Sequence, residues 1–409
     1  MTMAAAIDRR TADAPVRSQA SRIASVEIIT ELDAAERVWR AFESRGPFAT
    51  PYQRFDFLNP WQRHVGVSEN AEALIVVACD GEHRPLVLLP LTLRRQFGLR
   101  IASFMGGKHS TFNMPLWDTD FARDATASDI DTLLARWRER GDADLLVLTQ
   151  QPLRWRDQAN PFALLPQQPS VNACPVLEMA PGAQLLSNSF RRRLRGKERK
   201  LQTLAGYRYF IASTDDEISR LLDWFFRIKP LRMAEQKLPN VFAEAGVEQF
   251  VRDACTTRFA GGNRVIDIHA LAGDEEVIAL FAGVADGDRF SMMFNTYTLS
   301  EQARYSPGLI LMRNIIDHYV ARGYRALDLG IGSDDYKRLF CKDDEAIFDS
   351  FVPLTARGAA ASVAMSAVAR AKHRVKQSRT LFRLAQRLRG ALHHDGPKEE
   401  KAPKEEKEE

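Results

Sequence analysis

The amino-acid sequence predicts an α/β protein with two similar units, each with a mixed central sheet, followed by a basic helical extension. Two observations lead to this prediction. Apolar runs of strand length alternate with segments of helical periodicity, and the order of these elements in the first half of the chain recurs in the second half. The length of 409 residues gives room for two domains, and 45% hydrophobic with 27% charged residues is typical of a globular protein.

The first half opens with a helix predicted over Asp33–Ser44 and an aromatic-rich segment over Pro47–Val65, which either packs against the sheet or faces a substrate. A helix over Asp129–Arg140, closed by Gly141, and a strand over Asp144–Leu148 come later. Between the aromatic-rich segment and the later helix lie three apolar runs that predict strands: Leu74–Cys79, Pro85–Leu93 and Leu99–Met105. Asp80-Gly81, between the first two runs, is a hairpin signal.

The second half repeats this order of three strands, a connection, a helix and a strand. The helix is predicted over residues 308–322 and ends at Gly323, and the last strand covers Tyr324–Leu329. Its three strand runs are Val265–Leu271, Val277–Val284 and Phe290–Phe294. The recurrence predicts two copies of one structural unit.

The start of the helix after residue 305 is the most informative stretch of the chain. Pro307 has a fixed φ and no N–H, which suits the first turn of a helix. Gly308 has no Cβ, so a ligand can approach the backbone closely. Free N–H groups at a helix start, together with the helix dipole, favour a pyrophosphate or a carboxylate.

This element order resembles the acyl-CoA-binding core of GNAT-type acyltransferases. Ser306-Pro307-Gly308 stands in place of the usual Gln/Arg-x-x-Gly-x-Gly/Ala loop, and Asp328-Leu329-Gly330 and Asp335-Tyr336-Lys337 follow downstream. The combination resembles the Fem-like, CelD-type branch of tandem GNAT proteins, which is often associated with polysaccharide or envelope biosynthesis. The resemblance covers about residues 25–355.

The resemblance implies acetyl-CoA as acyl donor. The backbone around Asn295, Thr296 and Tyr297 is expected to face the thioester. Residues at the helix start are expected to hold the pyrophosphate: Ser306, Pro307, Gly308 and Leu309. The first unit has Met105–Ser110 in the region of the Ser-Pro-Gly turn, and we expect it to have lost the cofactor and to shape the acceptor cleft.

Three residues are candidates for the chemistry. Tyr336 could protonate the leaving thiolate, and Lys337 could bind a phosphate or developing charge. The alternative for this pair is a salt-bridged surface turn. Asp328 could orient a neighbouring group or accept a proton, and the alternative is a capping or turn carboxylate.

Substrate contacts are expected from four further residues. Arg232 follows Lys229-Pro230, where the helix is expected to stop, and it matches an arginine near the active cleft of the resembling family. Tyr305 is expected to be a wall of the site. Arg191 and Arg195 lie on a basic helix over residues 188–205, which is either a solvated face or a cationic wall for an acidic donor or acceptor. Their Arg-x-x-x-Arg spacing also occurs in some cyclic-dinucleotide sites.

Charge and cysteine content exclude several classes of site. The net charge of +4 is small for this length, and we do not expect nucleic-acid binding. Four widely spaced cysteines argue against a disulfide framework or a zinc site and favour a reducing cytoplasm, and no metal-ligand spacing is evident. No apolar run reaches transmembrane length, and Met1–Arg22 lacks the apolar stretch of a signal peptide.

The ends of the chain differ from the two units in composition. Residues 356–394 predict a basic amphipathic helix that lies on an anionic membrane surface, docks on a partner or is simply solvated. The expected localisation is therefore cytoplasmic, with a peripheral position at the inner face of the membrane left open. The five predicted segments are a flexible arm 1–24, a unit 25–175, a catalytic unit 176–355, the extension 356–394 and a disordered tail 395–409.

The resemblance implies N-acyltransfer, with acetyl passing to an amino group of a sugar in an exopolysaccharide or a lipid-linked polysaccharide precursor. The acceptor follows from the resemblance alone. One alternative is a Fem-type transfer of an amino acid from charged tRNA. Another is a non-catalytic protein at the membrane that senses a ligand such as cyclic di-GMP.

Overall fold

The computed structural model describes residues 20–378, except 181, 183, 260, 333 and 334. The first part contains β1 (Ser25–Ile29), α1 (Leu32–Glu43), α2 (Phe55–Trp61), β2 (Glu72–Cys79), β3 (Pro85–Gln96), β4 (Leu99–Phe104), β5 (Leu116–Trp117), α3 (Thr119–Arg123), α4 (Ala127–Arg140), β6 (Leu145–Pro152), β7 (Arg154–Trp155), β8 (Gln158–Ala159) and β9 (Gln168–Pro169). The second part contains β10 (Cys174–Glu178), α5 (Asn188–Leu201), β11 (Arg208–Ile211), α6 (Asp215–Glu235), α7 (Val247–Thr256), β12 (Asp267–Ala272), β13 (Val277–Ala285), β14 (Arg289–Tyr297), α8 (Pro307–Val320), β15 (Ala326–Asp328), β16 (Asp343–Glu345), β17 (Ile347–Pro353) and α9 (Ala356–Gln377).

The two halves of the chain share one sheet topology, as the order of elements predicted. In the first sheet β2, β3 and β4 are antiparallel neighbours, and β6 returns parallel to β4 after α4. In the second sheet β12, β13 and β14 are antiparallel neighbours, and β15 returns parallel to β14 after α8. The predicted α/β fold with two mixed sheets is therefore confirmed.

Each sheet is completed by a strand that lies outside its own repeat. β10 pairs with β15 in the second sheet, and β17 pairs with β6 in the first sheet. We had placed residues 347–353 within the second unit, so the structure corrects the membership of β17. Both strands cover sheet edges that would otherwise present unpaired backbone groups, which explains why the chain crosses between the sheets.

The two halves also share apolar packing. Phe57 of α2 contacts Phe250 of α7 edge to face, with ring centroids 5.6 Å apart. The larger buried cluster contains side chains of both halves, among them Trp39 and Leu88 from the first and Phe225 and Ile268 from the second. Such packing fixes the first sheet relative to α6 and α7.

One helix continues where we predicted a loop. α6 runs through Pro230 to Glu235, although proline removes a backbone donor. The last turn is held by other contacts, because Met233 is buried and the Arg232 guanidinium donates to the carbonyl of Thr298 at 2.7 Å. These contacts offset the lost helix hydrogen bond.

The ends of the chain are described only in part. Arg22 donates its backbone N–H to Asp129 at 2.9 Å and Ile23 is buried, so the last residues of the predicted arm are anchored. α9 packs on β17, and no helix of the described residues is both long enough and apolar enough to cross a bilayer. The rest of the arm, the remainder of the extension and the tail lie outside the described residues.

Candidate functional site

A wedge opens in the second sheet where β14 and β15 separate. The two strands pair only over three residues each, Arg289–Ser291 with Ala326–Asp328. The register between β13 and β14 shifts there by one residue, which leaves Met293 as an extra residue on β14. Beyond this bulge, β14 continues to Tyr297, and no strand of the described residues pairs with that edge.

The free edge of β14 presents backbone groups to the wedge. In an antiparallel pair, the N–H and C=O of one residue point to the same side. Thr298 donates its N–H to Ile278 of β13 at 2.8 Å, so the alternate residues Asn295 and Tyr297 turn their backbone groups away from β13. The wedge is therefore lined by the N–H groups of these two residues.

Two cations occupy the carbonyl groups on the same edge. The ammonium of Lys229 donates to the carbonyl of Asn295 at 2.9 Å. The guanidinium of Arg232 donates to the carbonyl of Tyr297 at 3.3 Å and lies over the Tyr297 ring, 3.6 Å from its centroid. The acceptors of this edge are thus engaged, which leaves its N–H donors for a ligand.

The N-terminus of α8 lies beside the wedge and has no side-chain cap. Ser306 precedes the helix in the left-handed region, with φ of 56°, and its hydroxyl accepts a hydrogen bond from Lys197 of α5 at 2.7 Å. Among the described residues, the Gly308 N–H has no acceptor. A backbone donor without an acceptor among the described residues, the positive end of the helix dipole and an ammonium therefore meet at one point, which suits a phosphate.

The protein itself does not require glycine at position 308. A Cβ added there would lie 3.8 Å from Phe281 and from Tyr297, which is ordinary van der Waals contact, and the φ of Gly308 is not in the left-handed region. The missing side chain instead leaves free space at the helix start. This space fits a diphosphate group that approaches the backbone.

The corresponding helix of the first unit is closed. Thr126 and Asp129 form a reciprocal capping box at the start of α4. Asp129 also forms an ion pair with Arg22 at 3.1 Å. A carboxylate of the protein thus occupies the place that an anion would take at this helix start, and the absence of a cofactor from the first unit stays a prediction.

Two cavities meet at the free edge of β14. The first, which we call the helix-end cavity, has a volume of about 710 Å³ and reaches from α6 to the start of α8. The second, the inter-unit cavity, has a volume of about 430 Å³ and lies between the two halves of the chain. Four residues line both cavities: Lys229, Met233, Asn295 and Tyr336.

Most of the predicted donor-site residues line the helix-end cavity. They include the three strand residues Asn295, Thr296 and Tyr297 and the helix-start residues Ser306, Gly308 and Leu309. Arg232, which was predicted as a substrate contact, lines the same cavity. Pro307 is buried at the first position of α8, as its fixed φ predicted. Tyr305 does not line this cavity and is half-buried against Arg304, whose guanidinium lies 4.9 Å from the ring centroid.

Tyr336 lies where the two cavities meet. Its phenol oxygen accepts a hydrogen bond from the Asn295 side-chain amide at 3.1 Å. Such a bond strengthens as the oxygen gains negative charge, so the pair suits a group that gives up a proton. Lys337 is buried and donates to the carbonyls of Gly330 and Ile331 at 3.1 and 3.2 Å, which fixes the turn that carries Tyr336.

Asp328 is brought to the base of the wedge, but it lines neither cavity. Its carboxylate is fully buried and accepts hydrogen bonds from Arg289 at 2.8 Å, from Ser291 at 2.5 Å and from the Gly330 N–H at 3.1 Å. These bonds join β14, β15 and the following turn at the point where the strands separate. The geometry therefore favours the capping alternative over a proton acceptor.

The two predicted arginines of α5 are not brought into either cavity. Arg191 forms an ion pair with Asp317 of α8 at 2.9 Å, and Arg195 is exposed. The neighbouring Lys197 reaches the helix start instead. The basic helix thus contributes to the site through a residue that we had not singled out.

The sequence also gave no indication of a cluster in the first unit. His109, Thr111 and Gln150 line the inter-unit cavity opposite β14. The Nδ1 of His109 accepts a hydrogen bond from the indole N–H of Trp61 at 3.0 Å. Burial, with Lys108 nearby, lowers the pKa of His109 to about 4, so the imidazole is neutral at pH 7. The one available signal was the Met105–Ser110 segment at the position of the Ser-Pro-Gly turn.

Residues 188–338 match the family model of the acetyltransferase (GNAT) domain. A search of curated proteins finds no significant sequence match. No group of three metal-ligating side chains occurs within the described part of the chain.

Several solved structures are similar to this chain at low identity, and the first two below share its fold. FemX is 7% identical with a TM-score of 0.51, over 79% of this chain and 96% of that one. A conserved protein of unknown function from Bacteroides thetaiotaomicron VPI-5482 is 12% identical with a TM-score of 0.50, over 81% of this chain and 100% of that one. A tandem GNAT protein from the clavulanic acid biosynthesis pathway is 12% identical with a TM-score of 0.37, over 81% and 99% of the two chains.

Proposed function

We propose that this chain, whose residues 188–338 match the family model of the acetyltransferase (GNAT) domain, transfers an acyl group from acetyl-CoA to an amino group of a sugar. The sugar would belong to an exopolysaccharide or a lipid-linked polysaccharide precursor. The GNAT fold implies an acyl-CoA donor and an acceptor. The acetyl group and the sugar come from the resemblance of the sequence.

The observation that carries the proposal is the continuity of the helix-end cavity from the uncapped start of α8 to Tyr336. Gly308 and Lys197 would hold the diphosphate of the donor. The N–H groups of Asn295 and Tyr297 would bind along its pantetheine arm and polarise the thioester carbonyl. These assignments use donors that the fold leaves directed at the cavity.

Acyl-CoA supplies an activated thioester. The residues of this chain would position the reacting groups and protonate the leaving sulfur. The acceptor amine would enter through the inter-unit cavity and attack the carbonyl near Asn295. Tyr336 would donate its proton to the sulfur that leaves, and the proton that the attacking amine loses would return to the Tyr336 phenolate. No Asp or Glu is among the described residues that line the inter-unit cavity, so we expect the amine to enter unprotonated.

The extension supports a peripheral position at a membrane. Arg370, Lys372 and Arg374 are exposed on α9, and so are Val363 and Val368 on the same helix. Cationic and apolar side chains on one exposed helix suit an anionic lipid surface. We therefore propose that the protein works at the inner face of the cell membrane.

Aminoacyl transfer from charged tRNA is the second candidate. The observation in its favour is the exposed cationic surface of α5 next to the helix-end cavity, which includes Arg192, Arg193 and Arg195. A polyanion could bind there while its aminoacyl end reaches the wedge. The donor distinguishes the two candidates, since only one of them requires a diphosphate at the start of α8.

Titration calorimetry with acetyl-CoA, a charged tRNA and cyclic di-GMP tests the proposal. We expect saturable binding of acetyl-CoA alone, and release of free thiol when an amino sugar is added. Binding of charged tRNA without acetyl-CoA would favour the aminoacyl alternative. Binding of cyclic di-GMP without turnover would favour a ligand-sensing protein.

A further inference from the structure

We propose that three neutral side chains of the first unit, His109, Thr111 and Gln150, form a subsite that reads hydroxyl groups of the acceptor. The inference rests on the proposed function, because it assumes that an acceptor enters the inter-unit cavity. It assigns a role to the half of the chain that lies outside the matched GNAT domain. All three residues line that cavity opposite β14.

His109 is fixed as a hydrogen-bond donor. An indole nitrogen can only donate, so the Nδ1 that receives the Trp61 N–H carries no proton, and the neutral imidazole must carry its proton on Nε2. The ring is also held against Phe250, with centroids 6.0 Å apart. Among the described residues Nε2 has no partner, which leaves its N–H for a ligand.

Thr111 is a second donor. Only 8% of the residue is exposed, and its hydroxyl oxygen accepts a hydrogen bond from the Tyr52 phenol at 3.0 Å. The hydroxyl proton therefore points elsewhere, and no acceptor for it is found among the described residues. A buried donor of this kind requires a partner to be stable, and the lined cavity offers a place for one.

Gln150 supplies an acceptor and is held in a strained backbone. Its φ is 61°, which is rare for a residue other than glycine, and its N–H donates to Asp349 at 2.9 Å. The side-chain amide nitrogen donates to the carbonyl of Ser110 at 3.3 Å. This bond orients the amide, so that its oxygen remains as an acceptor for a ligand.

The three groups together fit an uncharged, hydroxylated ring. Two donors and one acceptor complement hydroxyl groups, which both accept and donate hydrogen bonds. A second wall of the cavity is apolar and includes Phe250, Val251 and Met292. A sugar has hydroxyl groups at its edge and C–H groups on its faces, and it would contact both walls at once.

Acetyl transfer to two model amines tests this subsite. Glucosamine carries ring hydroxyl groups, and cyclohexylamine is an amine of similar size without them. Thiol release is measured with saturating acetyl-CoA for both. We expect kcat/KM to be at least about tenfold higher for glucosamine, because a site built for hydroxyl groups leaves buried polar atoms unpaired with the apolar amine.

Thr111→Val and Gln150→Met are the test variants, and Thr111→Ser is the matched control that keeps the hydroxyl. We expect each test variant to lower kcat/KM for glucosamine about tenfold and to change kcat/KM for cyclohexylamine less than twofold. The Kd for acetyl-CoA should stay unchanged. Two variants at separate positions guard against a failure of one to fold. Thr111→Ser should retain most of the preference.

The outcomes separate this inference from the proposed function. If the wild-type protein does not bind acetyl-CoA, the proposed function fails and the subsite fails with it. If acetyl-CoA binds but glucosamine is not preferred, or the test variants slow both amines equally, only the subsite is wrong. Loss of preference in Thr111→Ser as large as in Thr111→Val would also overturn it.

Discussion

Replacing Gly308 with alanine should separate stability from cofactor binding, because the two effects have opposite signs. The added Cβ would contact Phe281 and Tyr297 at 3.8 Å without a clash, and Gly308 lies within the first turn of α8. Alanine has a higher helix propensity than glycine by up to about 1 kcal/mol. We therefore expect Gly308→Ala to unfold at the same temperature as the wild type or slightly above it.

Binding of acetyl-CoA should weaken in the same variant. A Cβ in a helix is tilted toward the N-terminus, so the new methyl group enters the space beside the Gly308 N–H. One methyl group too many in a packed site costs about 1–3 kcal/mol. Since 1.4 kcal/mol corresponds to a factor of ten, Kd should rise about fivefold to a hundredfold.

Thermal unfolding with and without acetyl-CoA measures both effects in one assay. Gly196→Ala in α5 is the matched control, because a Cβ there meets no atom within 4 Å, and it should keep the full shift on ligand addition. If Gly308→Ala keeps the full shift as well, the diphosphate does not lie at the start of α8. If Gly308→Ala unfolds at a much lower temperature than the wild type, the fold itself requires glycine at this position and our interpretation is wrong.

Three further predictions concern the chemistry, the base of the wedge and the buried histidine. Tyr336→Phe should lower kcat about a hundredfold while the Kd for acetyl-CoA stays within twofold, which single-turnover kinetics would measure. An unchanged kcat would show that Tyr336 is not the proton donor. Asp328→Asn leaves the buried Arg289 guanidinium with one of its two carboxylate partners, Glu345, so urea unfolding should show a loss of about 3 kcal/mol with little change in kcat per folded molecule. A loss of kcat at full stability would restore Asp328 as a catalytic residue. Burial, with His318 and Arg322 nearby, lowers the pKa of His269 to about 3. The unfolded state therefore binds the extra proton below pH 6.5, and stability should fall toward pH 3 by up to about 1.4 kcal/mol per pH unit, with a smaller slope in His269→Gln; equal slopes would contradict the assignment.

The sequence predicted the parts of the fold that depend on local signals. Backbone preferences of single residues predicted three features: the hairpin at Asp80-Gly81, the helix end at Gly141 and the proline at the first position of α8. The repeated order of elements was visible for the same reason. The sequence did not reveal that β17 crosses into the first sheet. The choice of sheet depends on pairing between residues about two hundred positions apart, which no local signal reports.

The candidate site could be predicted where single segments of the chain carry its backbone donors. The start of α8 and the edge of β14 are single segments, so their backbone donors could be located from the Ser-Pro-Gly turn and the strand before it. Asp328, by contrast, has the same sequence context whether it faces a cleft or a buried arginine. The His109 cluster depends on Trp61 and Tyr52, which approach it only through tertiary packing.

Amide hydrogen exchange with and without coenzyme A tests most directly whether the cofactor lies between β14 and the start of α8. We expect slower exchange in peptides that contain Asn295, Tyr297 and Gly308, because these amides gain a partner when the coenzyme binds. Peptides from the start of α4 should not change, since that helix is already capped by Asp129. Coenzyme binding that protects other amides and leaves these three unchanged would contradict the proposed donor site.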